Sequence, residues 1–210
     1  MLISIEGCIG VGKTALVQCL SSYLECNTIY EEFENNPFLI DFYHDPHYYA
    51  LHVQVTFLFL QERQIKKAIE LSSENKLVIC DFHPLKSIIF SQMVLTSGDD
   101  KKIMWELYNR LFANLSPPDL LIYLYANVES ILERIKKRDD IFTRNISPEY
   151  IEKILYSYNK FFNSYQDKVL TIDVSNLDYE TKVDDLAHIK SMIENVLTIS
   201  PYSKYKGFNL

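Results

Sequence analysis

The sequence predicts an α/β protein, with a five-stranded parallel sheet carrying helices on both faces. Three observations carry this prediction. Five short apolar runs alternate along the chain with segments whose apolar residues recur at helical spacing. The first run leads into the glycine-rich stretch "GCIGVGKT" at 7–14, which in turn opens an amphipathic segment. The length of 210 residues and a hydrophobic content of 48% suit one domain, spanning 1–210, with a substantial core.

The elements follow in order. "LISIE" (2–6) is a buried strand. Residues 14–24 place Ala15, Leu16, Val17, Leu20, Tyr23 and Leu24 at helical spacing. "NTIYEEF" (27–33) reads as the second strand, "NPF" breaks it, and 38–43 restart a helix. Residues 48–71 form a helix about twice the average length. "KLVICDF" (76–82) is the third strand, with Leu77 to Cys80 apolar before Asp81. Helices are predicted over 84–95 and 99–115, then a strand over "PDLLIYLYA" (118–126), a charged helix over 128–138 and another over 147–165. "VLTIDVS" (169–175) is the fifth strand and 184–196 the last helix, with a loosely ordered tail expected over 199–210. No internal repeat, low-complexity stretch or linker interrupts this order.

Composition excludes several classes. A formal net charge of -7 argues against a nonspecific nucleic-acid binder, whose affinity comes from clustered Lys and Arg. No apolar stretch approaches the ~20 residues that span a bilayer, and the run from Met1 to Ile5 is too short for the core of a signal peptide. Cys8, Cys19, Cys26 and Cys80 show no C-x-x-C spacing, so reduced thiols in a cytoplasmic setting are expected.

"GCIGVGKT" fits G-x-x-x-x-G-K-[ST]. The amides of Gly7, Cys8, Ile9, Gly10, Val11 and Gly12 are placed to curve around a phosphate, with the positive end of the following helix aimed at the same anion. Lys13 supplies a point charge for the β and γ oxygens, and the Thr14 hydroxyl is placed to ligate Mg²⁺. A chance match in a glycine-bearing turn is the competing reading, opposed by the position between strand and helix. Cys8 reads as a redox-sensitive thiol or, more simply, as a small filler. Glu31 and Glu32 end the second strand, on the sheet edge where ligands gather, and a carboxylate there can take a proton from an attacking hydroxyl. Asp81, ending the third strand, is a second candidate for Mg²⁺. "ERIKKRDDIFTR" (133–144) clusters Arg134, Lys136, Lys137, Arg138 and Arg144. Arg134 and Arg138 share a helix face and can clamp a transferring phosphoryl group. Each of these has a plainer reading, as a solvated pair, a turn aspartate or a charged helix. Together they favour a small-molecule kinase. A GTPase is disfavoured because "NKFF" (159–162) lacks the Asp of a base-reading N-K-x-D.

From residue 2 to about 180 the chain resembles the deoxyribonucleoside kinase family, in particular its bacterial deoxyguanosine and deoxyadenosine kinase branch. The resemblance rests on "IEGCIGVGKT", "YEEFENNPFLIDFYHDP", "LHVQVTFL", "VICDFHPLKSIIF" and "RIKKR…SPEYIEKIL". It implies a P-loop kinase fold with an Arg-containing lid over about 134–146. It implies Glu31 as catalytic base for the 5′-hydroxyl, Tyr43 at the sugar 3′-hydroxyl and Gln54 on the base. The motif "[DE]-R-S" of the family reads Asp81-Phe82-His83 here, so the acid is kept and the arginine is absent; His83 becomes a candidate substrate contact, with a turn histidine as the alternative. Ser87 falls where many members place a base-reading Asp. Arg63 lies two residues beyond the family spacing of a substrate-binding Arg, so either the helix carries an insertion or Gln61 takes that slot. A third lid Arg becomes Asp140, and a sugar-binding Glu becomes Thr143, with Arg144 or Lys137 as candidate replacements. "IDVSNLDYE" aligns with the loop that reads the ATP base, which points to Asp178 and Tyr179.

The expectation is therefore a deoxynucleoside 5′-kinase of nucleotide salvage, using ATP and Mg²⁺, cytoplasmic and homodimeric, with purine acceptors favoured by "DFH" and Ser87. Two other readings compete. A thymidylate-kinase-like nucleoside monophosphate kinase needs an additional Arg near the third strand, where Phe82 stands. A nucleotide-binding relative without activity is suggested by Asp140 and Thr143 and opposed by the complete phosphate loop with Glu31 and Asp81.

Overall fold

Five strands, β1 (Leu2–Gly7), β2 (Cys26–Ile29), β3 (Leu77–Cys80), β4 (Leu120–Tyr125) and β5 (Val169–Asp173), pair in parallel in the order β2-β3-β1-β4-β5. The structure is a computed structural model and describes residues 1–138, 143, 146–165 and 169–199. β1 is central, with Ile3 opposite Ile79 on one side and Leu120 on the other, and all six of its residues are buried. Its chain leaves for one edge of the sheet and that of β4 for the other. The crevice this creates at their C-terminal ends is where a parallel sheet binds ligands.

Eight helices connect the strands among the described residues: α1 (Lys13–Tyr23), α2 (Leu39–His44), α3 (Pro46–Ser73), α4 (Leu85–Val94), α5 (Gly98–Phe112), α6 (Val128–Arg138), α7 (Pro148–Ser164) and α8 (Val183–Ile199). Alternate residues of a strand point to opposite faces. Accordingly Ile3 and Ile79 join Leu16, Val17 and Leu20 of α1 in one apolar cluster, while Leu2, Val78 and Cys80 join Ile65 and Ala68 of α3 in another. A third cluster, away from the sheet, unites α2, α3 and α5 through Phe42, Val53, Phe57, Leu58 and Met104. The long α3 starts at Pro46, two residues before its predicted start, because Asp45 accepts a hydrogen bond from Tyr48 N at 3.1 Å and proline occupies the first turn.

The second strand is shorter than predicted. It stops at Ile29 rather than 33, after which Phe33–Asn35 make a 3₁₀ turn. Side chains, not a neighbouring strand, satisfy the intervening backbone. Asp81 Oδ1 accepts from Glu31 N at 2.7 Å, Gln64 Nε2 donates to Tyr30 O at 2.5 Å, and Gln64 Oε1 accepts from Glu32 N at 3.4 Å. Glu31 thus sits on a braced loop just beyond the sheet edge.

Candidate active site

The phosphate loop needs glycine at two positions for stated reasons. Gly10 (φ +79°) and Gly12 (φ +106°) lie in the left-handed region, and a Cβ on Gly12 would come within 2.0 Å of the Tyr179 hydroxyl oxygen. Val11 N closes the turn on Cys8 O at 3.2 Å. No side chain caps the N-terminus of α1. Lys13 Nζ donates to Gly7 O at 2.7 Å and Cys8 O at 3.2 Å. The side chain of Cys8 is fully buried and its thiol is pushed up to about 12, so it packs as a neutral filler and the redox reading lacks support.

Thr14 and Asp81, predicted together from separate segments, do meet. Thr14 Oγ1 donates to Asp81 Oδ2 at 2.6 Å. Burial raises the Asp81 carboxyl above its ordinary range, against hydrogen bonds from Thr14 and Glu31 N. Asp81 therefore links the phosphate loop to the segment carrying Glu31.

Both carboxylate oxygens of Glu31 are engaged. Oε1 accepts from Gln61 Nε2 at 2.9 Å, and Oε2 forms an ion pair with Lys86 Nζ. Gln61 in turn accepts from Ser87 Oγ at 2.9 Å through its own oxygen. Burial by itself would raise Glu31. The Lys86 charge and hydrogen bond, the Gln61 amide and the charge of Lys13 outweigh it and hold the carboxyl below the usual range. Lys86 is raised for the reciprocal reason: burial lowers it, but Glu31 and Glu6 more than compensate.

Beneath the loop lies Glu6, with no exposed surface. Its carboxylate accepts from Gly7 N (2.8 Å), His83 N (2.8 Å) and Tyr158 OH (2.9 Å), joining β1, the turn before α4, and α7. Burial raises it above the ordinary carboxylate range, against the pull of Lys13 and Lys86.

The arginine pair divides. Arg134 donates to Val11 O at 2.8 Å and to Val174 O and Leu177 O, the last at 3.1 Å, stapling the phosphate loop to the stretch after β5. Its guanidinium is thus engaged with backbone carbonyls, an arrangement that fits a positioning task beside the expected clamp on a transferring group. Arg138, the last residue of α6, also lines the cavity. Tyr179 OH donates to Gly12 O at 3.0 Å and so stands beside the loop, while Asp178 accepts from Thr181 Oγ1 at 2.6 Å and lines the same cavity.

One cavity of about 830 Å³ gathers these groups. Ile9, Gly10, Gly12, Lys13, Thr14, Asp178 and Tyr179 line it, together with Glu31, Asp81 and Lys86 and with Tyr43, Gln54, Phe57 and Ser87. Gly7, Cys8 and Val11 are placed in the loop behind this lining. Gln54 is buried.

Two expected substrate contacts are not brought there. His83 is buried in the turn before α4, where Nδ1 accepts from Leu85 N at 3.1 Å, and burial lowers it to about 4. It is the turn histidine of the alternative reading. Arg63 pairs with Glu32 at the surface, its side chain 64% exposed, and Gln61 occupies the inward slot. One helical position explains the difference: Gln61 is seven residues after Gln54, hence on the same face of α3, whereas Arg63 is rotated away. Thr143 lines the cavity, whereas Asp140 and Arg144 lie outside the described residues. Sequence reasoning missed Lys86 and Glu6. Glu6 carries a signal, a carboxylate closing an otherwise apolar strand, but Lys86 carries none.

The deoxynucleoside kinase family profile matches residues 3–198. The chain is similar to deoxyguanosine kinase of Bacillus subtilis (strain 168), 30% identical over 201 residues, covering 91% of this chain and 97% of that one. It is similar to deoxyadenosine kinase of Dictyostelium discoideum, 34% identical over 191 residues, covering 87% and 74%. Among solved structures it is similar to deoxyadenosine kinase from M. mycoides with the products dCMP and a flexible dCDP bound, at TM-score 0.77 and 25% identity, covering 93% and 100%. With a parallel sheet of the P-loop kinase type and a phosphate loop facing a braced carboxylate, the chain belongs to the deoxynucleoside kinase family and is a nucleoside-phosphorylating enzyme.

Proposed function

We propose that the protein transfers the γ-phosphate of ATP to the 5′-hydroxyl of a deoxyribonucleoside, with deoxyguanosine or deoxyadenosine preferred, giving the 5′-monophosphate and ADP in nucleotide salvage. The observation that carries the reading is the position of Glu31, joined through Asp81 to Thr14 of the phosphate loop and through Gln61 to Ser87, in the cavity that Gln54 also lines. The loop amides and Lys13 hold the donor phosphates, and Asp178 and Tyr179 flank the donor base. Gln54 and Ser87 face the acceptor base, and Tyr43 the sugar. Glu31, held ionised by its neighbours, takes the 5′-hydroxyl proton as that oxygen bonds to the γ-phosphorus. The bond from the γ-phosphorus to its bridging oxygen breaks, and ADP leaves with the electron pair. Arg138 neutralises charge on the transferring group.

Thr14 Oγ1 and Asp81 Oδ2 are adjacent hard oxygen donors that would hold Mg²⁺ arriving with the donor phosphates, where it would supply charge neutralisation. Purine preference is supported by relatives that are deoxyguanosine and deoxyadenosine kinases. A homodimer through the exposed apolar residues of α3 and α5 completes the reading, as does a cytoplasmic location. Among the described residues no helix is long and apolar enough to cross a membrane.

The test is Glu31→Gln assayed with four deoxynucleosides, their 5′-monophosphates, and ATP or GTP. The expected result is transfer to nucleosides only, best to purines, with kcat reduced about 10²- to 10⁴-fold in the variant. Wild-type turnover by Glu31→Gln, or transfer to monophosphates, would defeat the proposal.

A further inference from the structure

The position of the third-strand motif that elsewhere carries an arginine holds Phe82, whose side chain has no exposed surface and packs with Leu2, Ile29, Ile65 and Val78. That position faces the apolar layer and supplies no cation to Glu31. The cation comes instead from one helical turn further on. Lys86, in the first turn of α4, directs Nζ back to Glu31 Oε2, while its ammonium lies 5.8 Å above the centre of the Phe57 ring. The pair is largely shielded, with side chains 21% and 9% exposed, unlike the surface pair of Glu32 with Arg63. The backbone on each side is tied. Lys86 N donates to His83 O at 3.0 Å, and Glu31 N is bound by Asp81.

We propose that Lys86 is a positioning residue for phosphoryl transfer, pinning Oε2 of Glu31 so that the carboxylate presents one fixed face to the acceptor hydroxyl. Gln61 pins Oε1 from the opposite side, and the hydrogen bond from Ser87 fixes which end of the Gln61 amide faces Glu31. The carboxylate is thereby held against rotation at both oxygens, with lone pairs left on each for the incoming proton. A Glu side chain otherwise samples several rotamers, and a misplacement of about 1 Å in a catalytic group costs on the order of a hundredfold in rate. An ion pair and an amide, arriving from different helices, remove that freedom before substrate binds. Glu6 acts on Lys86, and the charges acting on Glu31 are Lys86, Lys13 and Asp81. Lys86 alone among them makes direct contact with its carboxylate.

This inference rests on Glu31 as the base, and the experiment separates the two. Lys86→Met, Lys86→Arg and Lys86→Ala are compared with Glu31→Gln in steady-state transfer from ATP to deoxyguanosine and deoxyadenosine, with circular dichroism and thermal melts as folding controls. Lys86→Met is expected to lower kcat roughly a hundredfold while both KM values stay within about threefold. Lys86→Arg should recover most of that loss, and added propylammonium should raise the kcat of folded Lys86→Ala saturably. Unchanged kcat in Lys86→Met overturns the proposal, as does a loss confined to the KM for ATP, which would make Lys86 a phosphate contact. Failure of both arginine and propylammonium to restore turnover overturns it too. If Glu31→Gln is inactive while Lys86→Met is unimpaired, only the positioning role falls; if Glu31→Gln turns over normally, the base assignment falls with it.

Discussion

Arg134 shows how a residue's place can be legible in the chain when its partners are not. Its spacing four residues before Arg138 put both on one face of α6, and both do line the cavity. Its guanidinium is nevertheless taken up by carbonyls of Val11, Val174 and Leu177. A planar group with five donors suits that three-way staple, which a lysine cannot reproduce. Arg134→Lys is therefore expected to raise the KM for ATP about tenfold or more, by loosening the loop, with a smaller effect on kcat. Arg138→Lys is expected to act chiefly on kcat. Steady-state kinetics on both variants checks the division, and equal kcat losses with unchanged KM would return Arg134 to the transferring group.

At the scale of elements, the site depends on how the chain leaves β2. Predicting strand as far as residue 33 extended a local β preference through residues that have no strand partner. The chain turns off because Asp81 and Gln64 offer the backbone of residues 30–32 better-placed partners. Gln64 reaches Tyr30 O and Glu32 N from α3, and so locks the loop bearing Glu31 against the longest helix. Gln64→Leu is expected to cost about 1–3 kcal/mol by leaving a partly buried carbonyl unpaired, and to lower kcat more than it changes either KM. Chemical denaturation and kinetics together test this; a variant as stable and active as the wild type would show that the β2 exit is held elsewhere. The helices themselves were legible to within a few residues, since their periodicity and caps are local. Asp45 before Pro46 and Ser147 before Pro148 both cap through their side chains.

For the whole molecule, the proposed homodimer is testable at the exposed Phe59 (52%) on α3 and Ile103 (48%) and Trp105 (47%) on α5, two helices in contact. Phe59→Glu with Trp105→Glu should convert a dimer to a monomer in sedimentation velocity while the fold persists; an unchanged sedimentation coefficient would place the interface elsewhere. The sheet, the phosphate loop and the positions of the two acids Glu31 and Asp81 were legible in the amino-acid sequence. Each is written in a short contiguous pattern, or at the end of an apolar run, where backbone geometry follows from neighbours in the chain. The surroundings of Glu31 and the partners of Arg134, His83 and Arg63 follow instead from contacts between distant segments. These include Gln61 and Lys86, 30 and 55 residues from Glu31, and Val11, 123 residues from Arg134. A long flexible side chain carries no local signature of the partner it will meet, because that partner is chosen by the packing of helices against the sheet and not by the chain beside it.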